Sequence, residues 1–68
     1  MKNEIRVQRA RHELTQAELA EKVQVSRQTI IAIESGKFIP STVLCFKIAK
    51  VLDCKPEDIF MLEEEDWG

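Results

Sequence analysis

The chain has 68 residues, a formal net charge of −2, two cysteines, one histidine, two glycines and two prolines. That length suits one domain with a small core, whose marginal stability calls for a disulfide, a metal or a partner subunit. Cys45 and Cys54 are too few for a secreted disulfide scaffold, and with His12 they lack metal-ligand spacing, so a partner subunit is the expected support.

No apolar run approaches the ~20 residues of a membrane-spanning helix, and Met1 leads directly into charged residues with no leader pattern. The expectation is a soluble intracellular protein with reduced thiols. The charge is unevenly placed. Glu63, Glu64, Glu65 and Asp66 form an acidic tail over residues 63–68, while residues 1–62 carry ten basic and eight acidic side chains. A local basic face, not the total charge, decides nucleic-acid binding, so the net value excludes nothing.

Periodicity and caps predict four to five helices. The first runs from about Asn3 to His12, with Ile5 inward. Thr15 then caps a second helix, with Glu18 completing a capping box and Leu14 set to pack on Leu19 as a hydrophobic staple. Leu19, Ala20 and Val23 share its inner face. After a break at Gln24-Val25, Ser26 caps a third helix with Ile30 and Ile33 inward, ending at Gly36, where a left-handed residue is wanted. A fourth helix starts near Ser41 and places Leu44, Cys45, Ile48, Ala49 and Leu52 at helical spacing, with Cys45 as a small core residue. Pro56, Glu57 and Asp58 suit the first turn of a last short helix. Phe60–Glu63 is expected to be extended and to pair with the first few residues.

Residues 16–35 form two short helices around a tight turn, and Ala20 permits their close crossing. The outer face of the second helix of this pair reads Arg27, Gln28, Ile31 and Ala32. Arginine and glutamine can bond guanine and adenine edges bidentately, and the two apolar side chains suit thymine methyls in a major groove. Gln16, Ser26, Thr29, Ser35 and Lys37 supply donors for phosphate oxygens. Val43, Phe46, Leu62 and Trp67 are apolar residues in surplus of the core and mark a homodimer seam. The lone histidine has no paired nucleophile and no glycine-rich phosphate loop occurs, so neither an enzyme nor a cofactor is expected.

These segments carry a resemblance. Leu14-Thr15-Gln16-Ala17-Glu18-Leu19-Ala20, Val25-Ser26-Arg27-Gln28-Thr29-Ile30 and Ile33-Glu34-Ser35-Gly36-Lys37 resemble the lambda-repressor/Cro-type (XRE) helix-turn-helix family, in its minimal single-domain form. The likeness extends over about residues 5–60, through Pro40-Ser41, Phe46-Lys47-Ile48-Ala49 and Glu57-Asp58-Ile59-Phe60. It implies an all-α lambda-repressor-like fold over residues 1–68, with a phosphate-clamping glutamine at Gln16 and base-reading positions at Arg27, Gln28 and Ala32. It also implies an ion pair between Arg9 and Glu34. Glu13 and Gln24 stand where many members have glycine, Ala32 is shorter than the polar residue common there, and Gln8 replaces a frequent leucine.

The function this implies is a sequence-specific regulator of transcription, a repressor holding a palindromic operator as a homodimer at the nucleoid. An antitoxin-like module stays open as the alternative, with the acidic tail as the segment that meets another protein.

Overall fold

Each local capping signal closes as hydrogen-bond chemistry requires in the computed structural model, which describes all 68 residues, Met1–Gly68. In chain order the elements are β1 (Lys2–Asn3), α1 (Ile5–Arg11), α2 (Gln16–Val23), α3 (Arg27–Glu34), α4 (Thr42–Val51), α5 (Pro56–Ile59) and β2 (Phe60–Met61). A 3-10 turn over Glu64–Trp67 follows. The fold is mostly helical, with one two-stranded antiparallel sheet pairing Lys2 with Met61 and Asn3 with Phe60.

At the head of α2, the Thr15 hydroxyl accepts from the Glu18 N–H at 3.0 Å, and the Glu18 carboxylate accepts from the Thr15 N–H at 2.8 Å. The backbone N–H of Thr15, and then its side chain, hold the Glu18 carboxyl below its ordinary value of 4.5. A carboxylate with a lowered folded pKa stabilises above its unfolded value, and that contribution disappears as pH falls through the folded one. The thermal midpoint of the native protein should therefore exceed that of Glu18→Gln above pH 4.5, and the two should converge below it. Melting curves across that range check this.

Ser26 and Ser41 cap α3 and α4 in the same way, accepting from the Thr29 and Leu44 N–H groups at 3.2 Å each. At the end of α3 the Lys37 N–H bonds the Ala32 carbonyl at 3.0 Å and the Gly36 N–H bonds the Ile33 carbonyl at 3.0 Å, with Gly36 at φ 81°. This is a Schellman closure, and glycine takes its left-handed position without a Cβ penalty.

Three residues adopt that conformation without being glycine: Glu13 (φ 55°), Gln24 (φ 64°) and Asp53 (φ 53°). The αL region costs an L-residue about 1–2 kcal/mol. Gln24 recovers only an exposed hydrogen bond from the Lys47 ammonium at 3.3 Å. Gln24→Gly should stabilise the domain by about 1 kcal/mol and raise the midpoint by about 4–8 °C. Chemical denaturation of the pair measures it.

The core consists of Ile5, Leu19, Ala20, Val23, Ile30, Ile33, Ile48, Ala49, Leu52 and Ile59, all buried, with Leu14, Val25 and Leu44 packed against it. The inward positions expected for α1, α2 and α3 are thus those that the core uses. Two expectations need correction. The first helix starts at Ile5, not Asn3, because Asn3 is spent in the sheet. Its side-chain oxygen accepts from the Ile5 N–H at 3.3 Å, and its amide donates to the Ile33 carbonyl at 2.8 Å. Cys45 is half-buried at the rim of the core, not inside it. Burial still pushes the thiols of Cys45 and Cys54 above their ordinary 9.0, which leaves little thiolate at neutral pH.

The extended segment is also shorter than expected, ending at Met61. The tail turns back instead. The Met1 amine lies 3.1 Å from Glu63 and 3.2 Å from Asp66. The hydrogen bond to Glu63 raises the amine's pKa, against a smaller desolvation effect. No helix is long and apolar enough to cross a membrane.

Candidate nucleic-acid interface

The pair α2–α3 is stiffened from both sides. Inside, Leu19, Ala20 and Val23 of α2 meet Ile30 and Ile33 of α3 in one buried cluster. Beside that cluster a partly buried chain of polar bonds ties α1, α2 and α3 together. Arg9 Nε donates to Glu34 Oε2 at 2.6 Å, Arg9 Nη2 donates to Glu34 Oε1 at 3.2 Å, and the two side chains are 14% and 5% exposed. Arg9 Nη1 also donates to the Leu14 carbonyl at 2.9 Å, just before α2. This forked, charge-assisted geometry is the strong form of the interaction.

Gln16, half-buried at the first position of α2, extends the chain. Its Nε2 donates to Glu34 Oε1 at 3.1 Å and its Oε1 accepts from Arg27 Nη2 at 3.4 Å. A primary amide has two N–H donors, so one remains for a phosphate oxygen. The Arg27 contact is long and exposed, and most of that guanidinium's five donors stay free.

The outer face of α3 carries the rest. Arg27 and Gln28 are exposed, Ile31 is 39% exposed, and Ala32 and Thr29 are half-buried. Ser26 and Thr29 hydroxyls lie 3.0 Å apart, and the Ser35 hydroxyl donates to the Ala32 carbonyl at 3.0 Å, so these three already serve the helix ends. Lys37 is exposed just beyond α3. Val43 and Phe46 lie exposed on α4, and Leu62 and Trp67 are exposed near the C-terminus, away from this face in sequence.

A short, exposed helix of this kind, braced by a crossing partner and presenting arginine and glutamine, is the geometry that enters a major groove. The Helix-turn-helix family model matches residues 5–59. The chain belongs to the lambda-repressor/Cro-type (XRE) helix-turn-helix family of DNA-binding transcriptional regulators. It is 58% identical over 66 residues to an uncharacterized HTH-type transcriptional regulator of Methanocaldococcus jannaschii, covering 97% of this chain and 100% of that one. Among solved structures it is similar to the restriction-modification controller protein C.AhdI of Aeromonas hydrophila. That likeness has TM-score 0.76 and 30% identity over 82% of this chain and 85% of the other. It is similar also to the P22 c2 repressor protein in complex with synthetic operator 9T (TM-score 0.74, 30% identity, 78% of this chain, 80% of that one). The family's members are regulators of transcription, not enzymes.

Two residues of this helix-turn-helix domain escaped the sequence reading. Asn3, 30 positions from Ile33, fastens the end of α3 through its amide. Phe38, 48% exposed, follows the Schellman closure and lies beside Ala32. The only sequence signal for Phe38 was a large apolar residue two positions after the glycine that closes the recognition helix.

Proposed function

We propose that the protein is a repressor that binds a palindromic operator as a homodimer in the prokaryotic cytoplasm, reading bases with Arg27, Gln28, Ile31 and Ala32. Gln16 and Lys37 contact the phosphates, and Ser26, Thr29 and Ser35 join them as their hydroxyls rotate from the helix ends toward the duplex. The observation that carries this is the outer face of α3, where Arg27 and Gln28 stand exposed on a helix pair braced by the Arg9–Glu34–Gln16 chain. The likeness to a repressor solved with its operator supports the same reading. Occupying a promoter with a small domain represses by exclusion and needs no further machinery.

Homodimerisation rests on Val43, Phe46, Leu62 and Trp67, four large apolar side chains left exposed by a chain with a small core. An open groove along α4 contains Val43, Phe46 and Val51 between lysines 22, 47 and 50. A dimer would add stability by mass action and set two recognition helices ~34 Å apart, matching half-sites one helical turn apart. The antitoxin-like alternative needs a free acidic tail. Glu63 and Asp66 are instead engaged with the Met1 amine, which ranks that reading second.

Selection of bound duplexes from a random library, followed by sedimentation of the complex, tests the reading. The expected result is a palindrome with half-sites one turn apart and two chains per duplex. An asymmetric site holding one chain overturns the dimer, and no enrichment overturns the DNA-binding assignment for this face. On the selected duplex, Lys37→Ala should weaken all sequences alike and reduce the slope of log affinity against log salt by about 1.

A further inference from the structure

The recognition face carries a recess that its hydrogen-bonding residues do not account for. Its lining consists of Ser26, Gln28, Thr29, Ala32 and Phe38. The Ala32 carbonyl explains how Phe38 comes to stand there. It accepts from the Lys37 N–H at 3.0 Å in the Schellman closure and from the Phe38 N–H at 3.2 Å as well. Those bonds pull the backbone of residue 38 back against the last turn of α3. Ala32 is too short to fill the space beside it, so a hollow remains next to the phenyl ring.

Phe38 takes no part in the core, and 48% of its surface faces water. An anchored aromatic ring left wet on a polar face indicates an apolar group supplied from outside. The recess is open, and its lining joins the apolar Ala32 and Phe38 to the polar residues Ser26, Gln28 and Thr29. An A·T pair offers the matching pattern in the major groove. Adenine N6 and N7 suit a glutamine amide, and the thymine C5-methyl projects beside them at the outer edge of the pair.

We propose that Ala32 and Phe38 form a receptor for the C5-methyl group of a thymine, with Gln28 engaging the adjoining base edge. Phe38 is then a specificity-determining residue of this protein. The inference rests on α3 entering the major groove, as described above.

Thymine-to-uracil exchange isolates the methyl group, because uracil retains the pairing and the O4 acceptor. On the duplex recovered by selection, each thymine is replaced in turn and the affinity measured for the native protein and for Phe38→Ala. Removing one buried methyl should weaken native binding about three- to tenfold at one thymine per half-site and leave the others unaffected. Phe38→Ala should bind the thymine and uracil duplexes equally, near the native affinity for the uracil form. Its melting temperature should match the native one, because Phe38 lies outside the core.

Retention of the thymine preference by Phe38→Ala overturns the proposal, as does a selected site with no thymine beneath the recognition helix. A loss shared equally by every duplex assigns Phe38 to the sugar-phosphate backbone and also overturns it. In each of those cases duplex binding survives. Failure to hold any duplex at low salt defeats the major-groove reading itself, and the methyl receptor with it.

Discussion

Glu34→Ala should destabilise the domain by about 3–5 kcal/mol, a large share of what a chain of this length possesses. At the per-residue stability usual for globular proteins, 68 residues supply about 3–10 kcal/mol in total. The size of the effect follows from desolvation. Arg9 and Glu34 are largely withdrawn from water, and removing the carboxylate leaves a guanidinium whose Nε and Nη2 donors have no partner. Gln16 loses its acceptor in the same step, so the head of α2 loosens together with the end of α3.

The pair itself need not be net stabilising, since two charges were taken from water to make it. A double variant distinguishes these possibilities. Arg9→Met with Glu34→Leu should recover most of the lost stability, although the Arg9 bond to the Leu14 carbonyl is lost. Urea titrations of the two variants measure both quantities. A Glu34→Ala loss below about 1 kcal/mol would mean that the pair is solvated and braces nothing.

Gln28→Ala should weaken binding to the selected operator by about 1–3 kcal/mol, which is roughly 5- to 150-fold, and the loss should belong to one base pair per half-site. Gln28 is exposed and makes no side-chain hydrogen bond within the protein, so its truncation removes a contact to DNA without disturbing the fold. Arg27→Ala should behave alike at a neighbouring pair, with a smaller additional cost because Arg27 also steadies Gln16. Affinities over a panel of single-pair operator variants separate base reading from phosphate contact. A uniform decrease across the panel would reassign the residue to the backbone.

What the sequence discloses about this domain follows the range of the interactions involved. The capping box of Thr15 and Glu18, the serine caps of α3 and α4 and the Gly36 closure each act within a few residues, and all were readable as spacing. The buried faces of α2 and α3 were readable too, because a 3.6-residue period allows one inner face. The short antiparallel pairing of the two chain ends was readable as a pairing, but not in its bounds. Its true bounds depend on Asn3, whose amide reaches Ile33 across the domain. No local pattern encodes that reach.

Asp53 is a similar case. It takes a left-handed conformation at the end of α4, where aspartate is tolerated but not required. Cys45 lies at the edge of its helix stripe, where period alone does not separate a core residue from a rim residue. On the DNA face, Arg27 and Gln28 were readable as side-chain chemistry on an outward face. The recess between Ala32 and Phe38 was not, because it arises from a backbone closure that folds residue 38 back onto residue 32.

Methylation protection at guanine N7 tests directly whether α3 lies in a duplex major groove, because N7 is exposed only there. The purified protein on its selected operator should shield N7 positions in two patches about 10 base pairs apart, and Gln28→Ala should alter the pattern within those patches. Unshielded N7 positions on a duplex that is otherwise bound would contradict it.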